Sequence, residues 1–248
     1  MIDKGHIDNA TNALLNSNYT IVLTGAGISV ESGIPPFRGE GGLWTKYDPS
    51  LFTLSYFMNN PEHSWELLKK IFYESFKNMK PNIAHVILSI MERKGYLKTI
   101  ITQNIDGLHQ AAGSRNVIEY HGGIDYLTCL KCRTKYRVNE KILEKNPPKC
   151  KCGGVLKPNI VFFEEIIPEE VLSAVAEEVS KAELLMVIGT TAEIYPAAQI
   201  PYEVKRKGGN IIEINPNPSA ITETLTDIFI QAKATEALSE IGKKLKII

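Results

Sequence analysis

Thr20-Ile21-Val22-Leu23-Thr24-Gly25-Ala26-Gly27-Ile28-Ser29 decides the fold of this 248-residue chain. Its first half is a run of β-branched and apolar residues, the pattern of a buried strand, and it empties into a turn of small residues. Gly25 and Gly27 let backbone approach a ligand closely, and N–H groups at the start of a following helix favour a pyrophosphate. Strand, glycine turn and helix in that order form the phosphate-binding corner of a dinucleotide fold. The same residues also suit an ordinary tight turn, because Val30 stands where a third glycine is expected. The continuation, Ser32-Gly33-Ile34-Pro35-Pro36-Phe37-Arg38-Gly39, is stiff at its prolines and ends in an aromatic and a guanidinium. Gly39, Gly41 and Gly42 follow as hinges. Phe37 and Arg38 suit a lid over a cofactor, and Phe37 equally suits packing into the core.

Outward from this stretch the chain alternates helix and strand. Residues 7–16 read as an amphipathic helix before the first strand. Asn82 caps a helix whose stripe is Ile83, Val86, Ile87, Ile90 and Met91, and Gly95 closes it. His85, near that stripe, reads as a packed core histidine. Lys98–Thr102 is a short buried strand, and Val117 to His121 is another. Pro168 opens a helix with the stripe Val171, Leu172, Val175 and Val179. Leu184–Ile188 is a fully apolar strand, and Asn210–Ile214 and Ile228–Ile230 follow before a C-terminal helix. This alternation gives an α/β fold, a Rossmann-like parallel sheet flanked by helices. Residues 45–80, rich in aromatics, read as helical; Trp65, Leu68 and Phe72 fall at helical spacing as a local core that can also wall an apolar tunnel.

Chemistry collects at the strand ends, where open α/β sheets bind their ligands. Gln103-Asn104-Ile105-Asp106 follows one strand; it suits ribose hydroxyls and a carboxamide, or simple capping of the next turn. Gly189-Thr190-Thr191 follows another. His121, before Gly122 and Gly123, suits a general base, since its pKa lies near working pH. The four cysteines are Cys129-x2-Cys132 and, seventeen residues on, Cys150-x-Cys152. Clustered thiolates suit one tetrahedral structural zinc with no open position. The formal net charge is zero, with 28 basic and 28 acidic residues. That balance argues against bulk attraction to nucleic acid, and no apolar run reaches membrane-spanning length. The polar start, Met1 to His6, does not read as a secretory signal, and the expected compartment is the cytoplasm.

Together, GAGIS at 25–29, SGIP at 32–35, FRG at 37–39, TQNID at 102–106, the His121-Gly122 pair and the four cysteines resemble the sirtuins, NAD-dependent protein-lysine deacylases. Ile194-Tyr195-Pro196-Ala197-Ala198 after Gly189-Thr190-Thr191 resembles a further sirtuin signature. The resemblance implies NAD contacts at Gly25, Ala26, Gly27, Ile28, Val30, Phe37, Arg38, Gln103, Asn104, Ile105, Asp106, Gly189, Thr190, Thr191, Asn215 and Ala234. Within these, Ile105 and Asp106 receive nicotinamide and Asn215 contacts the adenosine ribose. It implies His121 and Asn104 as the catalytic pair, and substrate contacts at Val161, Phe162, Phe163 and Glu165, where the substrate peptide adds as a strand. NAD is then consumed: the acyl oxygen of acetyl-lysine attacks the ribose carbon bearing nicotinamide, and His121 acts as base for the ribose hydroxyls. The implied partners are acetylated lysines of protein substrates, chromatin proteins or metabolic enzymes alike.

The implied division is a Rossmann-like domain of residues 1–44, 81–123 and 157–248, with a helical module, 45–80, and a zinc-ribbon module, 124–156, forming a smaller domain. The sequence departs from the family pattern at Pro36 (usually Asp), Glu164 (usually Gly), Thr191 (usually Ser) and the shortened Cys150-x-Cys152 pair. Leu68 and Ile71 stand where succinyl- and malonyl-preferring members carry Tyr and Arg, which implies acetyl or longer neutral acyl groups over succinyl. Protein ADP-ribosyl transfer and a non-catalytic acyl-lysine binding module are the alternative functions. A dehydrogenase would account for the glycines and leave the cysteines and the TQNID cluster without a role.

Overall fold

The computed structural model describes residues 2–39 and 41–248; Met1, from which the N-terminal reading starts, lies outside them. The large sheet is six-stranded with the order β3-β2-β1-β7-β8-β9. Its strands are β1 (Thr20–Thr24), β2 (Thr99–Thr102), β3 (Val117–Glu119), β7 (Leu184–Ile188), β8 (Asn210–Asn215) and β9 (Ile228–Gln231). Every pairing in it is parallel. A three-stranded antiparallel sheet, β5-β4-β6, is built from β4 (Gly122–Cys129), β5 (Lys135–Arg137) and β6 (Leu156–Ile160). The helices are α1 (Lys4–Asn16), α2 (Leu54–Asn59), α3 (Pro61–Leu68), α4 (Ile83–Arg93), α5 (Leu108–Ala111), α6 (Glu140–Leu143), α7 (Glu169–Lys181), α8 (Gln199–Arg206) and α9 (Ala234–Lys244). Among the described residues no helix is long and apolar enough to cross a membrane.

Both faces of the large sheet are covered, which is why its central strands are apolar throughout. Val22, Ile100, Met186 and Ile212 pack on one face with α1, α4 and α9. Ile21, Leu23, Ile101, Leu185 and Val187 pack on the other with α7 and α8. The period-two alternation of a strand delivers its neighbours to opposite cores. A third core joins α2 and α3 to the small sheet through Phe57, Trp65, Leu68, Phe72, Leu127 and Leu156. Trp65 is fully buried, and its Nε1 donates to the Leu156 carbonyl at 2.8 Å, tying the helices to β6.

Four expectations need correction. The helix after the Gly25 turn is a 3₁₀ helix, Ala26–Ser32. In α4 the buried face is Ala84, Ile87, Leu88 and Met91, with Ile83 exposed, because α9 and the sheet meet the helix rotated from the apolar stripe. Asn82 does cap α4, through a capping box with His85, and His85 is buried as expected. In α7 only Val175 and Val179 of the stripe are buried, and Leu172 is exposed, lining the cavity beside the sheet. Finally, Lys157 does not return the chain to the large sheet. Leu156–Ile160 pairs with β4, so the ribbon runs on through Ile160.

Candidate active site

The strand order reverses between β1 and β7, and ligands bind beyond the strand ends at such a reversal. A cavity of about 840 Å³ opens there, between the large sheet and the three-stranded sheet with its helices. Close backbone approach builds its floor. A Cβ added to Gly27 would lie 2.6 Å from the Gly189 Cα, and one added to Gly189 would lie 2.4 Å from the Ile28 nitrogen. Gly25 and Gly189 are joined to the same corner by N–H bonds to Ile188 and Ile214 carbonyls. The loops after β1, β7 and β8 therefore meet with no room for a side chain, which leaves backbone facing the cavity.

Gly25, Ala26, Gly27, Val30, Phe37, Arg38, Gln103, Asn104, Ile105, His121, Val161, Phe162, Phe163, Glu165, Gly189, Thr190, Thr191, Asn215 and Ala234 all line this one cavity. Ile28 and Asp106 do not. Ile28 is 1% exposed and packs in the core beneath, because the tight turn of the 3₁₀ helix points it inward. Asp106 sits behind Ile105, where its carboxylate accepts from Ser29 Oγ at 2.7 Å and from the Leu108 N–H at 2.9 Å. Burial pushes its pKa up, against the pull of those two bonds.

Asn104 is fixed from two sides. Its Nδ2 donates to the Gly25 carbonyl at 3.1 Å and to Ser29 Oγ at 3.3 Å. Its Oδ1 is buried with no partner in the protein. A buried, orphaned acceptor on a residue that lines a cavity calls for a donor from a ligand, as a ribose hydroxyl provides. The glycine corner and this atom together fit NAD. Gln103 Nε2 donates to Thr190 Oγ1 at 3.0 Å, bridging the ends of β2 and β7.

His121 follows β3 and enters β4 through Gly122, where φ is +71° and a Cβ would lie 1.8 Å from the Asn159 carbonyl oxygen. Its Nδ1 lies 3.1 Å from the Gln103 carbonyl oxygen. A carbonyl only accepts, so Nδ1 carries the proton and Nε2 is left as the basic nitrogen. Burial lowers the His121 pKa, partly offset by the bond to Gln103, so the ring is neutral near pH 7.

The Phe37-Arg38 segment is tied down at both of these side chains. Arg38 Nη1 pairs with Glu193 at 3.3 Å. Phe37 packs on Trp44 with ring centroids 5.4 Å apart, and Trp44 in turn packs on Phe52 and Phe163 at 5.1 and 5.9 Å. Phe37 thus both lines the cavity and packs on a local core. Leu68 and Ile71 are buried behind this aromatic wall, and Phe72 from the same segment lines the cavity instead. The carboxylate of Glu165 is spent within the protein, on Lys157 Nζ and the Phe162 N–H, each at 2.7 Å.

The four cysteines converge although their second pair is one residue short. All four Sγ atoms lie within 4.8 Å of one another. Three pairs are 3.4–3.6 Å apart. Thiolates about 2.3 Å from a central ion would sit about 3.8 Å apart, so the donor set fits one tetrahedral zinc. A Cβ on Gly154 would lie 2.7 Å from Cys129 Sγ, which is why glycine follows the second pair.

Sequence reasoning assigned no role to several residues in or beneath the cavity wall. Ser29, fully buried, is the hub that meets Asn104, Asp106 and His85. Pro216, Asn217, Pro218 and Ser219 line the cavity beyond β8. Their signal was present: a proline- and asparagine-rich loop at a strand end.

Comparison with known proteins agrees with this geometry. The model of the Sir2 family matches residues 25–196. The chain is 42% identical to NAD-dependent protein deacetylase 1 of Pyrobaculum aerophilum over 243 residues, covering 97% of this chain and 95% of that protein. It is 43% identical to the NAD-dependent protein deacylase of Pyrococcus furiosus over 246 residues, covering 95% and 96%. A solved Sir2 structure with deacetylated p53 peptide and 3′-O-acetyl ADP ribose superposes with a TM-score of 0.91 at 35% identity, covering 96% of this chain and 98% of that one. A Sir2 structure with p53 peptide and NAD+ gives 0.91 at 34% identity, covering 98% and 99%.

Proposed function

The chain belongs to the Sir2 family, and from that premise we propose how its cavity performs NAD-dependent deacetylation of lysine side chains in proteins. When bound, NAD supplies a ribose carbon as acceptor for the acyl group and nicotinamide as leaving group. The glycine corner of Gly25, Gly27 and Gly189 cradles the pyrophosphate. Asn104 offers Oδ1 to a hydroxyl of the nearer ribose, and Gln103 and Thr190 hold the adjoining wall. Phe37 and Arg38 close over the site and exclude water. His121 Nε2 takes the proton from a ribose hydroxyl during acyl transfer. Val161, Phe162 and Phe163 flank the acyl-lysine, while Glu165 acts through Lys157 to fix their loop. Zinc, held by Cys129, Cys132, Cys150 and Cys152, supplies cross-linking of the ribbon and takes no part in the chemistry.

The observation that carries this reading is that His121, with Nε2 left as the basic nitrogen, and Asn104, with an orphaned Oδ1, line the same cavity. Mass spectrometry of an acetyl-lysine peptide, with and without NAD, tests it beside the His121→Ala variant. NAD-dependent loss of acetyl with release of nicotinamide, absent in the variant, is expected. Nicotinamide release with the acetyl group retained would instead identify ADP-ribosyl transfer. As substrates we propose acetylated chromatin proteins or metabolic enzymes in the cytoplasm. The balanced formal charge, and four cysteines gathered as one metal-binding set and not in disulfides, support that setting.

A further inference from the structure

We infer that Glu213 is a positioning residue that turns the Asn215 amide so that its oxygen, and not its nitrogen, faces the bound nucleotide. Glu213 sits in the middle of β8 between two isoleucines and is 0% exposed. A carboxylate in an apolar sheet is costly unless its oxygens are hydrogen-bonded. Here Oε2 accepts from Thr222 Oγ1 and Thr226 Oγ1, both at 2.8 Å, and Oε1 accepts from Asn215 Nδ2 at 3.1 Å. No ion pair involves Glu213 among the described residues.

The second proton of that Asn215 amide goes to the Thr190 carbonyl at 3.0 Å. Both partners of Nδ2 can only accept, so a flipped amide would face two acceptors with an acceptor. Its orientation is therefore set by the protein, and Oδ1 is the one atom of the amide left for a ligand. Asn215 and Thr190 both line the cavity. An acceptor held there selects a hydroxyl and disfavours a phosphate ester, whose oxygens only accept. Two of the three donors to Glu213 come from the segment after β8, so the same carboxylate also anchors the loop of Pro216 to Ser219.

The inference rests on the reading that Asn215 reaches the adenosine ribose, and the test separates the two. Calorimetric titrations of ADP-ribose and of 2′-phospho-ADP-ribose are made with the wild-type protein, Glu213→Gln and Asn215→Ala. A glutamine at 213 can donate, which lets the Asn215 amide turn and present its nitrogen. The expected result for Glu213→Gln is an ADP-ribose Kd raised about three- to tenfold, the worth of one net hydrogen bond, with a narrowed preference over the phosphorylated ligand. The KM for acetyl-peptide and kcat at saturating NAD stay unchanged. Should the glutamine variant fail to fold, Glu213→Asp, too short to reach Asn215, is expected to give the same weakening. A folded Glu213→Gln with unchanged ADP-ribose affinity, or with an unchanged preference, overturns the positioning role. Unchanged affinity in Asn215→Ala overturns the ribose reading itself.

Discussion

The carboxylate of Glu164 accepts a hydrogen bond from the Ser55 N–H at 3.0 Å, across 109 residues of sequence. It thereby satisfies a free donor in the first turn of α2, next to the Leu54 N–H that the Phe163 carbonyl takes at 3.0 Å. The substrate-side loop is sewn to the helical module at this point. Glu164 achieves this from a left-handed backbone, φ +72°, where glycine is the unstrained residue. The side chain where the family usually has glycine is thus a helix cap.

Two substitutions separate the cap from the strain. Glu164→Ala loses the bond to Ser55 and keeps the strained backbone; Glu164→Gly loses the bond and relaxes the backbone. Thermal unfolding is expected to show a Tm a few degrees lower for the alanine variant than for the glycine variant. Equal Tm values would mean that the backbone at 164 carries no strain.

Acyl preference follows from the aromatic wall. Among the described residues lining the cavity the fixed cations are Arg38 and Lys233, and each already faces a carboxylate, Glu193 at 3.3 Å and Glu31 at 3.6 Å. A succinyl carboxylate beside Phe52, Phe72 and Phe162 would be buried unpaired. The kcat/KM for a succinyl peptide is expected to lie at least about 100-fold below that for the acetyl peptide, from an unpaired-group cost of about 3 kcal/mol. Comparable values would place a cation at the acyl end.

The pH dependence of turnover should show a low acid limb. Burial holds His121 below its ordinary value, so the ring stays unprotonated, and competent as a base, to lower pH than a free histidine. The acid limb of kcat/KM is expected below about 6.5, the usual histidine value. A limb above that value would contradict the assignment.

Two other histidines govern stability. Burial pushes His85 down to about 4 and His109 to about 3. Both are neutral in the folded state, while the unfolded chain takes up protons below about 6.5. Stability is therefore full above that value and falls as pH drops toward the folded-state values, by on the order of a few kcal/mol. Urea unfolding at pH 7 and pH 4.5 is expected to show this loss, smaller in His109→Gln. An equal loss in the variant would assign it to other groups.

Metal exchange distinguishes a structural from a catalytic ion. One zinc per chain is expected, and its removal by chelation lowers Tm and activity together. Cobalt in its place should give thiolate-to-cobalt absorption with the turnover rate unchanged. A rate that follows the metal would put the ion in the chemistry.

What the sequence determined by itself was whatever a short local pattern can encode. Apolar runs ending in Gly25 or Gly189 gave the strands and the corner where they meet; Gln103 to Asp106 and His121 fell at strand ends; the cysteines clustered despite the missing residue. These follow from periodicity and from glycine, which act within a few residues. Side-chain direction in irregular segments was decided by the tertiary structure. Ile28 and Asp106 sit beside Gly27, Asn104 and Ile105, which line the cavity, yet a 3₁₀ turn and a bond to Ser29 send them behind the wall. Leu172 lies on an apolar stripe and is exposed because the cavity, not the sheet, lies against it. Glu213 interrupts an apolar strand, a visible anomaly, but its partners Thr222, Thr226 and Asn215 come together only when the loop beyond β8 folds back. In a strand the backbone period assigns each side chain a face; in a turn only the packing of distant segments does.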